Sequence, residues 1–233
     1  MHILYANQLR DEHLLPEQRA ILRRLEGAAM SDGREEASFL SRKKDIGTAQ
    51  DWVTAFFDKG AEEVLSYYAD DFVWEDIEFA QTITTKADLY KAFVVFNNSG
   101  PDSPFGVHKF NMISYDGDRC ARQHAQTNSV KPDYWPERDY RRLADNILIG
   151  ADFDYDEWGY MQWIWQATHN EDFFGMPAKG KTTVTRGTTT QFYRDGRIVR
   201  CRTHWNFREF AMQLGLIPAP DEQWRNNPEL QTA

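Results

Sequence analysis

Cysteine is nearly absent from this 233-residue chain, which has only Cys120 and Cys201. A disulfide framework needs more pairs and an oxidising compartment, so each cysteine reads as a buried reduced thiol inside a strand-like segment. Basic runs are missing too. Lys and Arg number 27 against 36 Asp and Glu, a net charge of −9, which argues against nucleic acid or an anionic membrane as partner. No window approaches the roughly 18 consecutive apolar residues of a membrane span, and the first residues carry no signal-like apolar stretch. A soluble, cytoplasmic chain is expected. There is no His-Glu-x-x-His, no Cys-x2-Cys, no glycine-rich phosphate loop and no Gly-x-Ser-x-Gly. The run from His169 to Asp172 has donor types for a metal but not the helical spacing, so neither metal nor cofactor is expected.

Aromatic residues are plentiful. With 8 Trp, 10 Tyr, 15 Phe and 41% apolar residues overall, the chain can fill a core and is globular. Its length favours one domain with extensions. Residues 1–45 form a polar extension holding one amphipathic helix, PEQRAILRRLEG. Ile21, Leu22 and Leu25 recur there at helical spacing behind Pro16, to pack on their own domain or on a neighbouring subunit. The domain, 46–218, opens with a helix around Trp52, Phe56 and Phe57. After Gly60 a second helix turns Val64, Leu65 and Tyr68 inward. DDFVWEDIEF alternates as a strand, with Trp74, Asp76 and Glu78 on one face and Val73, Ile77 and Phe79 on the other. KADLYKAFVVFNN is a further helix. FGVHKFNMISYDGDRCARQHAQT reads as a hairpin turning at Asp116-Gly117-Asp118. About residues 128–158, an aromatic and Asp-rich excursion interrupts the meander and reads as a lid or an oligomer contact. Residues 219–233 form a tail.

From Trp163 the pattern is sharper. WIWQATH is a strand, NEDFFGMPAKGK a loop rich in turn formers, and TTVTRGTTTQFY a strand dense in β-branched residues. Arg194-Asp195-Gly196 makes a tight turn into RIVRCRTHWNF. Asn206 stands at an N-cap, and Gly215 and Pro218 end the helix that follows. Alternation puts Val199, Cys201, Thr203 and Trp205 on one face. Arg200, Arg202, His204 and Asn206 fall on the other, convex, face.

ATHNEDFFGMPAKGKTTVTRG resembles the GTHTGEFxGxPPTGKxVxxRG pattern of SnoaL-like polyketide cyclases. RDGRIVRCRTHWNFREFAMQLGLIP is similar to their DGKIVEHWDYWDxxxLLxQLGLLP. With looser matches at DDFVWED and KADLYKAF, the resemblance covers residues 46–218 apart from the excursion. It implies an α+β fold of the nuclear-transport-factor-2-like superfamily, a strongly curved antiparallel sheet wrapped around helices as a conical barrel. An N-terminal helical extension and a long insertion in the meander would be added to it. Such folds host isomerases, dehydratases, cyclases and C–C lyases, and binding proteins without catalysis, so fold alone does not fix function.

The family's His and Asp in the last strand fall on Cys201 and Thr203 here, so its acid is missing. Asp76 is the foremost substitute, because a carboxyl beside Trp74 in a closed apolar pocket has a raised pKa and serves as acid or base. His169, at the His of the family's THTGE, and His124, beside the excursion, are candidate second proton carriers. His108 reads as structural. Trp74, Trp163 and Trp165 would hold a ring by stacking. Glu78 is expected at the rim, Tyr68 and Tyr90 on the inner wall from helices, and Cys201 and Thr203 as small residues that make room. The expected activity is cofactor-independent acid–base chemistry on a small hydrophobic, aromatic or polyketide-like compound: aldol or retro-aldol cleavage, dehydration or isomerisation. The alternative is a non-catalytic binding or scaffold protein. Either would form a homo-oligomer, dimer or trimer.

Overall fold

The computed structural model describes residues 14–27, 60–96, 103, 105–125, 133–134, 136 and 152–219. Its first element, α1 (Pro16–Gly27), has proline at its first position, Glu17 in the first turn and Arg24 in the last. All three suit the helix dipole and the free amides of the first turn. Leu22 is buried, with Ile21 and Leu25 half-buried beside it. They pack α1 on this chain's own domain, where Glu26 pairs with Lys91 at 3.3 Å. The helix expected around Trp52, Phe56 and Phe57 lies outside the described residues.

The short helix α2 (Ala61–Leu65) starts after Gly60, whose φ of +96° suits glycine. It ends sooner than its spacing suggests. Tyr68 is not on this helix but opens strand β1 (Tyr68–Asp76). β2 (Gln81–Ile83) folds back on β1, and α3 (Lys86–Val94) follows, with the Thr85 hydroxyl accepting from the Asp88 amide. Then come β3 (Val107–Ala125), β4 (Phe153–Thr168), β5 (Thr182–Arg194), β6 (Arg197–Trp205) and α4 (Phe207–Leu214). The strands form one curved, unclosed six-stranded sheet in the order β2-β1-β6-β5-β4-β3. This is the expected α+β architecture with one difference: β1 lies parallel to β6, whereas the other pairs are antiparallel. No helix among the described residues is long and apolar enough to cross a membrane.

Two sequence expectations fail in the sheet. Asp116-Gly117-Asp118 is not a turn, because β3 runs straight through it and pairs Gly117 with Gly159 of β4. The glycine serves close approach here, since a Cβ at Gly117 would lie 2.4 Å from the Trp158 carbonyl oxygen. The excursion also ends earlier than residue 158, because β4 begins at Phe153. Most of it lies outside the described residues. The Asp195-Gly196 turn is present, with φ of +50° and +73°, as a two-residue hairpin with a right-handed twist needs. Asn206 caps α4 by accepting from the Glu209 amide, and Gly215 closes it at φ +79°.

Among the described residues the interior forms two clusters. One gathers Leu14, Leu22, Val64, Tyr68, Leu89, Tyr90, Phe93 and Ile198 under α1 to α3. The other gathers Phe79, Met161, Trp163, Trp165, Phe173, Trp205 and Phe210 under β4, α4 and the loop 169–181. Phe96, Phe110 and Met112 touch both. Gly117→Ala is expected to cost about 1–3 kcal/mol in urea unfolding. Gly27→Ala, whose Cβ would meet nothing within 4 Å, is expected to leave stability within about 0.5 kcal/mol.

Candidate functional site

Between the clusters the concave face of the sheet borders a cavity with about 700 Å³ of atom-free space, its open mouth and the solvent there included. Thirteen of the described side chains line it, and nine of these are aromatic. β1 gives Trp74, β4 gives Trp163 and Trp165, and β6 gives Trp205; the α3 end gives Phe93 and Phe96. Phe110, Phe173 and Phe79 complete the rings, and Asp76, Thr189, Cys201 and Thr203 are the remaining members. The rings hold one another: Trp165 stacks on Phe110 at 5.9 Å and on Phe210 at 5.6 Å, and Trp205 meets Phe79 edge-on at 5.0 Å. Such geometry favours the aromatic quadrupoles and keeps the wall rigid.

Asp76 ends β1 inside this wall and is 7% exposed. The parallel register sets Trp74 opposite Cys201 and Asp76 opposite Thr203. The Trp205 indole donates to both carboxylate oxygens, at 3.2 Å to Oδ1 and 3.1 Å to Oδ2, and the Phe79 amide donates to Oδ1 at 3.0 Å. Burial pushes the carboxyl up to about 7 against the pull of these donors. The group is therefore poised to change charge near neutrality, as an acid–base residue requires. On the same face the Trp163 indole donates to Thr189 Oγ1 at 3.0 Å, and Thr189 shares a hydrogen bond with Thr203 at 2.6 Å. Burial pushes the Cys201 thiol up to about 12, so it stays protonated and is no nucleophile.

No protein-family model matches the chain, and no curated protein matches it in sequence. Solved structures resemble it in fold. A protein from Jannaschia sp. CCS1, described as a SnoaL-like polyketide cyclase, has 9% identity and a TM-score of 0.48, covering 81% of this chain and 100% of its own. AclR from Streptomyces galilaeus, described as a hydroxylase, has 14% identity and a TM-score of 0.47, over 79% and 93% of the two chains. IdmH from Streptomyces antibioticus, described as a polyketide cyclase, has 16% identity and a TM-score of 0.43, over 72% and 96%. At these values the likeness concerns the course of the chain and says nothing about chemistry.

Trp74, Asp76, Trp163, Trp165, Cys201 and Thr203 share the cavity wall; the other sequence candidates sit elsewhere. His124 is exposed at the far end of β3, with Nδ1 2.7 Å from Asp154 Oδ1. A hairpin at residues 116–118 would have returned it toward the cavity, but the straight strand carries it away. His169 is buried but outside the lining. Its Nε2 meets Thr183 Oγ1 at 2.9 Å, and burial lowers its pKa to about 4. Glu78 lies past the end of β1, where strand alternation no longer holds, and turns toward His204 at 3.8 Å on the outer side. Phe79, expected to face outward, enters the cavity through the same turn, in which Ala80 has φ +50°. Tyr68 packs edge-on against Phe72 at 5.2 Å, outside the lining. Tyr90 lies toward Glu17 and Arg24 of α1, and burial raises its phenol to about 12.

His108 is structural, fully buried. The indole of Trp165 donates to its Nδ1 at 3.1 Å, so Nε2 carries the proton and donates to the Phe105 carbonyl at 3.1 Å. Burial, then the neighbouring His169, lower its pKa to about 3. Cys120 is half-buried rather than buried. Sequence reasoning did not single out Phe79, Phe93, Phe96, Phe110, Phe173, Thr189 or Trp205 as site residues. Alternation had placed Trp205 on the face of Cys201 and Thr203, which was the available signal.

Outside the sheet, a shallow groove is lined by Ile113, Gln162, Ile164, Arg186, Thr188 and His204. Trp163, Gly187 and Trp205 also border it. Arg200 contributes little to that outer face, being 5% exposed under the Phe153 ring.

The Asp76 carboxyl, raised to about 7 when folded, holds its proton more tightly than the roughly 3.9 of the unfolded chain. Its contribution to stability is therefore present at low pH and lost as pH rises from about 4 to about 7, near 1.4 kcal/mol per unit. The lowered His108 and His169 act in the opposite direction below about 6.5, so the raw curve mixes both. The difference between wild type and Asp76→Asn in denaturant unfolding isolates the carboxyl. Relative to the variant, wild type should weaken across that window and level off above it.

Proposed function

We propose that the chain is a cofactor-independent acid–base enzyme acting on a small hydrophobic, aromatic or polyketide-like compound. Asp76 exchanges a proton with the substrate, and the aromatic wall holds and desolvates it. The observation that carries this reading is a single carboxyl, raised to about 7 by burial, set among nine rings. Every other lining side chain is uncharged near neutral pH, which leaves Asp76 as the proton acceptor among the described residues. The second proton carrier expected from a histidine is not part of the reading, because neither His124 nor His169 lines the cavity. Within the reaction classes open to such a site, one-base chemistry favours proton removal next to a carbonyl. Isomerisation, dehydration of a hydroxy ketone and aldol addition all start in that way, and in a retro-aldol cleavage the same base takes the proton of the β-hydroxyl instead.

The rings also favour a second reading. Apolar rings with few polar groups bind without turnover as readily as with it, so a binding protein of the same cavity is the alternative. A panel of neutral aromatic ketones, aldols and hydroxy ketones, followed by mass spectrometry, separates the two. For an enzyme, at least one compound is consumed at a rate that rises with pH through about 7, and Asp76→Asn lowers that rate at least 100-fold. Compounds retained unchanged by wild type, or turned over equally by the variant, would remove the catalytic reading.

A further inference from the structure

We propose that the Thr203 hydroxyl, held at the end of a relay from Trp163 through Thr189, is the cavity's hydrogen-bond donor to a substrate carbonyl. The site would then select neutral ketones of aromatic size with an acidic C–H beside that carbonyl. This rests on the reading of Asp76 as the proton acceptor.

The direction of the relay follows from proton counting. An indole nitrogen only donates, so the 3.0 Å contact from Trp163 uses a lone pair of Thr189 Oγ1. Thr189 is 4% exposed, and its hydroxyl has one further neighbour among the described residues, Thr203 Oγ1 at 2.6 Å. If Thr203 donated in that pair, the proton of the nearly buried Thr189 would be left without a protein acceptor, which is unfavourable. With Thr189 donating, both donors of the relay, Trp163 and Thr189, are satisfied. The Thr203 proton is then left over on a half-buried side chain that lines the cavity. Each bond polarises the next, so the last hydroxyl is a stronger donor than an isolated threonine.

Its position matches the chemistry. Thr203 and Asp76 are direct partners across β1 and β6, and both line the cavity. The Asp76 carboxylate accepts from the Phe79 amide at Oδ1 and from the Trp205 indole at both oxygens. The carboxylate takes the proton from the carbon beside the carbonyl. The C–H pair becomes the new C=C bond, the carbonyl pair moves onto oxygen, and the Thr203 hydroxyl donates to that oxygen as its charge grows. Asp76 then returns a proton to carbon, so no co-reactant is consumed. Among the described residues no Lys, Arg or His lines the cavity, so a substrate carboxylate or phosphate would face Asp76 without a counter-ion from them.

The probe is 2-tetralone, a neutral ketone fused to one aromatic ring, in D2O. Deuterium entry beside the carbonyl, followed by proton NMR, reads Asp76; the infrared carbonyl stretch of the bound ketone reads Thr203. Wild type is expected to exchange, and Asp76→Asn to stop exchange. Thr203→Val should slow it about tenfold or more and raise the carbonyl frequency, with Thr203→Ser restoring both. Thr189→Val, which breaks the relay behind the Thr203 hydroxyl, should give a smaller change of the same sign. Wild-type exchange with an unchanged frequency and rate in Thr203→Val overturns the donor assignment and leaves Asp76 standing. A Thr203-dependent frequency without wild-type exchange sinks the acid–base reading instead. Failure of 2-tetralone to bind overturns the substrate class.

Discussion

The parallel pairing of β1 with β6 is the contact on which the cavity depends. It brings the first strand of the sheet against the last, and it decides which side chains meet. Asp76 falls opposite Thr203 and Trp74 opposite Cys201, while the Ile77 amide donates to the Thr203 carbonyl at 3.1 Å to fix the end of the register. A slip of one residue would send Asp76 to the outer face and bring Glu75 inward. Glu75 is itself 2% exposed and is held on the outer side by Arg202 at 2.8 Å. That ion pair, half-exposed on its Arg202 side, is poor evidence for stability, but it opposes the slipped register.

Within the cavity two effects oppose each other at one carboxyl. Burial among rings disfavours the anion, and the N–H groups of Phe79 and Trp205 favour it. Burial is the larger effect and the donors limit it, which leaves the group near neutrality. The two inner histidines lack that balance, since burial dominates at both and holds them neutral. They serve instead as polar packing among the rings, with His108 fixing the Trp165 indole.

Much of the fold was legible because its signals are local. The Asp195-Gly196 turn, the Asn206 cap, Gly215 and the β-branched strand β5 each carry their own chemistry in a few residues. The cavity was legible where strict alternation holds, as at Trp74 and Asp76, or Cys201 and Thr203. It failed where the backbone breaks period. Beyond Asp76 the chain turns, so Glu78 and Phe79 exchange the sides that counting assigns them. In β6 the register to β5 shifts between Phe192 and Tyr193, skipping Val199. A two-residue turn counted without that bulge would pair Thr203 with Thr188, not with its true partner Thr189. Such a bulge arises from long-range packing of the sheet and leaves no mark in composition. The misplaced hairpin at Asp116-Gly117-Asp118 has the same origin. A sequence favourable to a turn is overridden by a partner strand with Gly159 opposite Gly117.

Gly187 has a wider effect than its small size suggests. A Cβ there would stand 2.2 Å from the Trp163 ring, so the indole occupies the place where β5 has no side chain. Trp163 and Trp205 consequently border both the inner cavity and the outer groove. At that point the two compartments share part of their walls. Whatever rests in the outer groove lies against the two tryptophans whose indoles donate to Thr189 and Asp76.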